Sequence, residues 1–420
     1  MVGFLLVALK IVVLLGLLIF IHELGHFTVA KLCKVKVNEF ALGFGPVILS
    51  KQGKETKYQL RLIPLGGFVS MEGETERSEE KGSFSKTSIP KRIAIVAAGG
   101  LVNIVFAAIL FFGIQTYSAN NITTKVSELT PGYAAEVSGI LPGDEIVKIN
   151  GKKVHRQADI NKIVSSSNGE NLVVTIKRAG NKMDFNIKPT SYEYKATGIY
   201  LGSDNDTTVH GFDSKDSIEG QGIEVGDKII YVNGVYVEDN YNKLSEAIQI
   251  DNKEENIEFI IKRHGEEHTI NVVPKKTTKY LLGVGLEKAE NKFFTNMYYA
   301  WFDTGDFVFS IVENVKMMFS GKMNKNDLMG PVGISSVVAK TTGIQDFLYI
   351  MTVISLSLGF TNLLPFPPLD GGKIVLLIIE GIRRKPLKEK FEVGIQMFGF
   401  AVIIMLSIYI TYNDVLRLHN

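Results

Sequence analysis

The sequence is poor in cysteine and in excess charge of either sign. Cys33 is the one cysteine among 420 residues, which excludes a disulfide framework and a zinc site built from cysteines. The formal net charge is only +2. A nucleic-acid-binding surface needs a clustered basic excess, so we expect no nucleic-acid partner. The charged residues that are present lie mostly in the middle of the chain.

Four stretches carry almost no charge and are long enough to cross a bilayer, which takes about 20 apolar residues. They are residues 2–30, residues 93–114, residues 347–369 with an extension to 379, and residues 393–412. The first could instead be a cleaved signal peptide, but it has neither a basic start nor a small-residue cleavage site. We therefore predict a polytopic α-helical membrane protein with about four transmembrane helices.

Lysines and arginines are concentrated in two of the connecting segments. Twelve lie between residues 31 and 92, and five lie between residues 383 and 390. Short basic loops tend to stay on the cytoplasmic side of a membrane. Both segments are therefore predicted to face the cytoplasm, and the long segment 117–346 is predicted to lie outside it.

The first apolar stretch ends in the string His22-Glu23-Leu24-Gly25-His26. Two histidines four residues apart lie on one face of a helix, where they can bind one zinc ion while the glutamate acts as general base. Ionisable residues are costly in a membrane helix and are usually functional there. The alternative, three polar side chains reaching for water at a helix end, explains neither the spacing nor the glutamate.

A catalytic zinc ion takes three protein ligands and keeps a fourth position open, so a third ligand must lie elsewhere. Cys33 is a poor candidate because it follows the first helix without partners. Asp370 is a better one, since it ends the charge-free run 347–369 and a carboxylate there needs a cation or a metal. Its partner could also be Lys373 or a cytoplasmic arginine.

Three prolines, Pro365, Pro367 and Pro368, interrupt the third apolar stretch. Proline removes a helical hydrogen-bond donor, and irregular backbone at membrane depth occurs only where it lines a cavity or is buried in protein. We therefore predict that residues 362–372 unwind towards the site. Asn362 then either hydrogen-bonds the substrate or the developing oxyanion, or only caps the broken helix.

Two β-like runs, residues 40–48 and 58–69, lie on either side of a polar turn in the loop after the first stretch. They predict a β-hairpin within residues 37–70. An exposed hairpin edge could bind an unwound substrate segment by strand addition. Gly66 and Gly67 in the second run are therefore candidate substrate-binding residues.

The middle region contains a duplicated sequence. Residues 139–154 and 222–237 agree at eight of sixteen positions, and each copy combines Gly-Asp and Asn-Gly turns with short apolar strands, which is a hairpin signal. The copies resemble bacterial PDZ domains, which bind peptide C-termini as an added strand. We assign residues 118–202 and 203–288 to two consecutive PDZ domains, which either bind such peptides or only cap the site.

The remaining residues divide into a helical segment and two parts of a membrane core. Apolar residues recur near helical spacing in residues 292–319, so segment 289–346 is predicted to contain an amphipathic helix that packs on the protein or lies on the outer membrane surface. Residues 1–117 and 347–420 are assigned to the membrane core.

These motifs together resemble the site-2 protease family, in particular its bacterial regulator-of-sigma intramembrane zinc metalloproteases. The resemblance rests on residues 22–26, 98–103, 330–334 and 362–371, and it covers nearly the whole chain. Two departures are Ala98-Gly-Gly, where a Gly-Pro pair is common, and the duplicated PDZ domain, which only part of the family has.

The resemblance implies a bacterial inner-membrane protease with Zn²⁺ as cofactor and Asp370 as third zinc ligand. Its substrates would be single-span membrane proteins embedded in the bilayer, such as shortened anti-sigma factors or remnant signal peptides. The hairpin would be re-entrant beside the active site, towards the cytoplasmic side. Asn103, Asn362 and Pro365 lie in the shared motifs and are further candidates for substrate binding.

Three other classes of protein explain the sequence less well. A PDZ-bearing membrane scaffold would not need two histidines, Glu23 and an intramembrane Asp370. A transporter is disfavoured because the apolar stretches show no inverted repeat. A serine protease is disfavoured because the chain has no Gly-x-Ser-x-Gly elbow.

Overall fold

The computed structural model describes residues 2–419 except 75, 77, 204–205, 213–216, 250–255, 321–328 and 342. The chain divides into two compact units, residues 1–121 with 290–420 (unit 1) and residues 122–289 (unit 2).

The helices of the described part are α1 (Val2–Leu32), α2 (Ile89–Ser118), α3 (Ala134–Val137), α4 (Gln157–Ser166), α5 (Tyr241–Gln249), α6 (Phe293–Phe319), α7 (Pro331–Lys340), α8 (Ile344–Asn362), α9 (Asp370–Arg383) and α10 (Glu389–His419). The strands are β1 (Val37–Gln52), β2 (Lys57–Met71), β3 (Ile122–Leu129), β4 (Glu145–Ile149), β5 (Lys152–Lys153), β6 (Leu172–Arg178), β7 (Asn181–Ile187), β8 (Thr190–Ala196), β9 (Ile199–Ser203), β10 (Asp206–Phe212), β11 (Lys228–Val232), β12 (Val235–Tyr236), β13 (Ile257–Arg263), β14 (Glu266–Val272), β15 (Lys275–Leu281) and β16 (Val284–Lys288).

Unit 1 is built around long apolar helices. Four helices of the described part are long and apolar enough to cross a membrane, and they lie in α1, α2, α8 and α10. Their number and order agree with the four apolar stretches of the sequence. Leu14 and Leu18 of α1 are buried against Met351 of α8, so the first and third of these helices share one apolar core.

The third apolar stretch is broken, as the prolines predict, but the break is shorter than expected. Helix α8 ends at Asn362 and α9 begins at Asp370, so Gly371 and Gly372 lie in the first helical turn of α9 and are not unwound. The glycines permit this because a Cβ on Gly371 would lie 2.2 Å from the carbonyl oxygen of Leu364. The first turn of α9 therefore packs directly on the irregular backbone before it.

The predicted hairpin is a strongly bent antiparallel pair. Residues 39–42 of β1 pair on one side with residues 67–70 and on the other with residues 57–60. Gly43 and Gly45 have positive φ at the bend, a conformation that glycine adopts without strain. Among the residues that the structure describes, residues 67–70 pair on one side only in this small sheet, so they form an edge strand.

Helix α6 has one packed face and one exposed face. Ala300 is buried against α8 residue Leu356 and α2 residue Phe111, whereas Trp301 is 72% exposed. The helix predicted within residues 292–319 is present, and it packs on the protein along one face while the other face is exposed.

Unit 2 contains two equivalent sheets with separate cores. The first has the strand order β16-β3-β4-β6-β7 and the second has the order β14-β13-β11-β10-β9. In the second sheet, the edge strand β9 comes before the other strands of its copy in sequence. In the first sheet, the edge strand β16 comes after all other strands of both copies. The second copy is thus inserted into the first, and the chain between them forms the two-stranded β8–β15 ribbon. The predicted consecutive domains 118–202 and 203–288 do not fit this arrangement, because β16 lies within 203–288 but belongs to the first sheet.

Each copy is closed by the same ion pair between a buried aspartate and a partly exposed arginine. Arg178 donates to both carboxylate oxygens of Asp144 at 2.7 and 2.8 Å and to the carbonyl of Gly139. Arg263 does the same with both oxygens of Asp227, each at 2.7 Å. Both aspartates belong to the Gly-Asp turns of the duplicated sequence, so the duplication preserves an interaction as well as a fold.

We expect Asp144→Asn to destabilise the first copy by about 1.5–3 kcal/mol, the usual contribution of hydrogen bonds to charged groups. Arg178 holds the pKa of Asp144 below its usual value. A carboxyl with a lowered pKa stabilises the fold above its unfolded-state pKa, and that contribution is lost as the pH falls through the folded-state pKa. The wild type should therefore lose stability below about pH 4, and the variant should lose less.

Hydrogen exchange of β4 and β6 in the purified chain measures both effects. Glu193→Gln, at an exposed position of β8, is the control and should change neither. Equal exchange in Asp144→Asn and wild type at neutral pH would contradict the assignment.

Candidate metal centre

The three predicted ligands converge in unit 1. Helix α1 places His22 and His26 one turn apart, with their Nε2 atoms 3.1 Å from each other. Oδ2 of Asp370, the first residue of α9, lies 3.3 Å from Nε2 of His22 and 3.4 Å from Nε2 of His26. All three side chains are partly buried, and the chain brings Asp370 to the histidines across more than 340 residues.

The geometry of these three atoms fits zinc. Ligands about 2.0–2.2 Å from a tetrahedral zinc ion lie about 3.3–3.6 Å from one another, and the observed separations are 3.1, 3.3 and 3.4 Å. Oδ2 of Asp370 is buried and receives no hydrogen bond from any residue that the structure describes. A buried carboxylate oxygen without a hydrogen bond is unfavourable, and a cation bound between Asp370 and the two histidine Nε2 atoms would compensate its charge.

The backbone of α2 orients the second histidine. Nδ1 of His26 lies 2.9 Å from the carbonyl oxygen of Ile95, and only a protonated Nδ1 can donate to a carbonyl. A neutral His26 then carries its lone pair on Nε2, which faces Asp370. Metal-binding histidines commonly donate their other ring nitrogen to a carbonyl in this way.

Two asparagine side chains meet the first histidine. The amide groups of Asn103 on α2 and Asn362 on α8 each lie 3.5 Å from Nδ1 of His22. Oδ1 of Asn103 is buried and has no hydrogen-bond partner in the part of the chain that the structure describes. The two ends of an asparagine amide exchange places by a 180° rotation. With Oδ1 turned to His22, the orphaned oxygen accepts the Nδ1 proton and the histidine keeps Nε2 for the metal.

Two glycines allow α1 and α2 to approach closely at this point. A Cβ on Gly99 would lie 2.4 Å from Nε2 of His26 and 2.7 Å from Cε1 of His22. A Cβ on Gly25 would lie 2.6 Å from the carbonyl oxygen of Ala98. Any side chain at Gly99 would therefore displace the imidazoles.

The candidate ligands line a cavity of about 210 Å³. Its lining residues are His22, Glu23, His26, Phe68, Val69, Met71, Glu74, Val96, Asp370 and Lys373. Phe68 and Val69 belong to the edge strand of the hairpin, so this edge lies at the site.

The structure brings most of the other predicted site residues to the same place. A Cβ on Gly67 would lie 3.2 Å from Cγ of Glu23, so Gly67 touches the proposed base. Gly66 instead packs under Phe44. Pro365 lies in the break between α8 and α9 and does not line this cavity. Cys33 packs beside a separate apolar cluster around Ala30.

Two residues at the site, Glu74 and Gly99, were not singled out from the sequence as site residues. Lys373, considered as a partner for Asp370, pairs instead with Glu74 at 2.7 Å. Gly99 was noted only as part of a motif. Adjacent glycines in an apolar span are a signal for close helix packing and could have indicated Gly99, whereas no local signal links Glu74 to Lys373.

Comparison with known proteins gives consistent results across nearly the whole chain. Residues 10–406 match the model of the family described as Peptidase family M50. A Clostridium acetobutylicum protein with the name "Putative zinc metalloprotease" is 30% identical over 95% of this chain and 94% of its own length. The regulator of sigma E protease of Haemophilus influenzae is 27% identical over 97% of this chain and 98% of its own length.

One solved structure matches a smaller part of the chain. The crystal structure of the HtrA3 PDZ domain bound to a phage-derived ligand covers 21% of this chain and 93% of its own chain, with 20% identity and a TM-score of 0.18.

Proposed function

The chain belongs to peptidase family M50, the site-2 type of zinc metalloprotease, and we propose that it cuts transmembrane segments of single-span membrane proteins. The observation that carries this proposal is the convergence of His22, His26 and Asp370 beside Glu23, in a cavity between helices long enough to cross a membrane.

His22, His26 and Asp370 are the residues that would hold the zinc ion. Bound there, zinc supplies Lewis acidity, which makes water nucleophilic near neutral pH and polarises a carbonyl group. The carbonyl oxygen of Ile95 contacts Nδ1 of His26, and the side chain of Asn103 contacts Nδ1 of His22. These contacts orient the two rings so that their Nε2 atoms face Asp370.

Glu23 is the proposed general base. Its side chain lines the same cavity as the two histidines, and Gly67 leaves room for its Cγ. Glu23 accepts the proton that the attacking water gives up and then passes it to the amine of the leaving segment, as a positioned carboxylate can. Asn362 either donates to the developing oxyanion or holds His22.

A substrate helix must unwind before its peptide bonds reach this site. Within a helix the peptide groups are hydrogen-bonded to one another, and residues 67–70 present the edge of a sheet at the wall of the cavity. Strand addition to such an edge satisfies the backbone groups of an unwound segment. Apolar residues at the bent end of the hairpin, such as Val47 and Ile48, are exposed, as a hairpin that re-enters a bilayer requires.

The basic loops favour an inner-membrane protein with the catalytic centre towards the cytoplasm and unit 2 on the other side. In that position the two PDZ-like copies either bind newly formed C-termini of shortened substrates or exclude bulky outer domains. Anti-sigma factors already cut on their outer side and remnant signal peptides are the proposed substrates.

The test is a co-expression cleavage assay with metal analysis of each purified protein. We expect the wild type to contain about one zinc per chain and to cut a tagged single-span reporter, and Asp370→Ala to lose both properties, because two imidazoles alone leave the metal one ligand short. Asp184→Ala, at an exposed site in β7, should retain both. Normal zinc in Asp370→Ala would contradict the ligand set, and no zinc in the wild type would contradict the function.

A further inference from the structure

An ion pair crosses the cavity from the substrate-binding side to the metal-binding side. Nζ of Lys373 lies 2.7 Å from Oε1 of Glu74, and the two side chains are only 21% and 22% exposed. Both residues line the cavity that contains His22, Glu23 and His26. The pair therefore lies beside the reacting groups without belonging to the proposed ligand set.

Each partner is fixed to a different half of the site. Lys373 follows Asp370 by three residues on α9, so the two side chains lie on neighbouring positions of one helix face. Glu74 follows the edge strand of residues 67–70, and its backbone N–H donates to the carbonyl of Met71 at 3.3 Å. The ion pair thus joins the helix that supplies a proposed ligand to the strand that would bind substrate.

Further contacts hold the two ends in place. Nζ of Lys373 lies 5.2 Å from the ring centre of Phe84, within cation–π range. The backbone N–H of Phe84 donates to the carbonyl of Glu72 at 2.7 Å. The ammonium group, the aromatic ring and the turn after the edge strand therefore form one connected unit.

Lys373 also stands between two cavities. A second cavity of about 170 Å³ is lined by Pro367, Asp370, Lys373 and Gln396 among others, and it shares Asp370 and Lys373 with the first. An extended segment that passes the proposed ligands from one cavity to the other must pass Lys373.

We propose that Glu74 and Lys373 are a positioning pair that sets which peptide bond of the substrate lies over the catalytic groups. The proposal rests on the proposed function. A strand added to residues 67–70 takes its register from that edge, and the pair fixes the edge relative to Asp370. Strand residues repeat every 3.3 Å or so, and a displacement of about 1 Å at a reacting centre can lower the rate 100-fold.

The experiment compares charge reversals in the purified full chain, with cleavage products identified by mass. Glu74→Lys and Lys373→Glu should each lower kcat about 10- to 100-fold, change KM less, and give products cut at additional positions, with zinc content unchanged. The double variant Glu74→Lys/Lys373→Glu should restore the wild-type product, and Lys373→Arg should retain it. A milder change, Lys373→Gln, covers the case in which a reversal prevents folding.

The ion pair of Arg92 and Glu380 is the matched control. It also attaches α9 to another element, with 2.6 Å between Arg92 Nη2 and Glu380 Oε1, but neither residue lines the cavity. Glu380→Gln should lower the melting temperature and leave the cleavage position unchanged. Wild-type products and wild-type kcat in Lys373→Gln and both reversals would overturn the positioning role alone, whereas a wild type that binds no zinc and cuts no reporter would contradict the proposed function.

Discussion

Glu23→Gln is expected to keep zinc bound and to lower the cleavage rate by a factor of about 10²–10⁴, the range that general acid–base catalysis contributes. Glutamine has nearly the same shape as glutamate, so the contact with Gly67 and the position of the neighbouring histidines should persist. It cannot accept the proton of the attacking water. Single-turnover cleavage of a purified reporter, with zinc measured on the same sample, gives both quantities.

The comparison variant for Glu23 is Glu80→Gln. Glu80 is exposed, pairs with Lys36 and does not line the cavity, so this variant should cleave at the wild-type rate. An active Glu23→Gln enzyme would remove Glu23 from the mechanism. Loss of zinc together with activity would show instead that Glu23 supports the metal site.

Gly99→Ala is expected to lower both the zinc content and the activity, the latter by about 100-fold or more. The added methyl group would lie 2.4 Å from Nε2 of His26, closer than any unstrained contact. Because Gly25 already brings α1 against the backbone of Ala98, the helices cannot separate without losing packing. The imidazole of His26 must therefore leave its position 3.4 Å from Oδ2 of Asp370.

Gly113→Ala is the matched control in the same helix. Gly113 also lies in α2, and nothing lies within 4 Å of a Cβ placed there. Alanine favours helix over glycine by roughly 1 kcal/mol, so this variant should be at least as stable as the wild type and fully active. Equal zinc binding by the two alanine variants would show that the close approach at Gly99 does not position the ligands.

The sequence predicts the features that depend on local patterns. Long apolar runs indicate the four candidate spans, and the spacing of His22 and His26 indicates a shared helical face. The prolines indicate where the third run breaks. Asp370 could be inferred as a third ligand because a carboxylate that ends an apolar run needs a partner.

Other features depend on contacts between distant segments and have no local pattern. Nothing near Glu74 indicates that it meets Lys373, which is 299 residues away. The sequence of Val284–Lys288 is that of an ordinary strand, so it does not reveal that this strand completes the first sheet and not the second. The length of the break before Asp370 depends on the fit of Gly371 against Leu364, which only the packed structure shows.

The insertion of one copy into the other has a consequence for synthesis of the chain. Strand β3 leaves the ribosome long before β16, its neighbour at the edge of the first sheet. About 97 residues separate the end of β7 at Ile187 from the start of β16 at Val284, which takes roughly 5–20 s at translation rates of about 5–20 residues per second. During that interval β3 has an open edge that can pair with other chains. The second copy, whose strands are contiguous, can fold first, and its completion brings β16 to β3 and closes that edge.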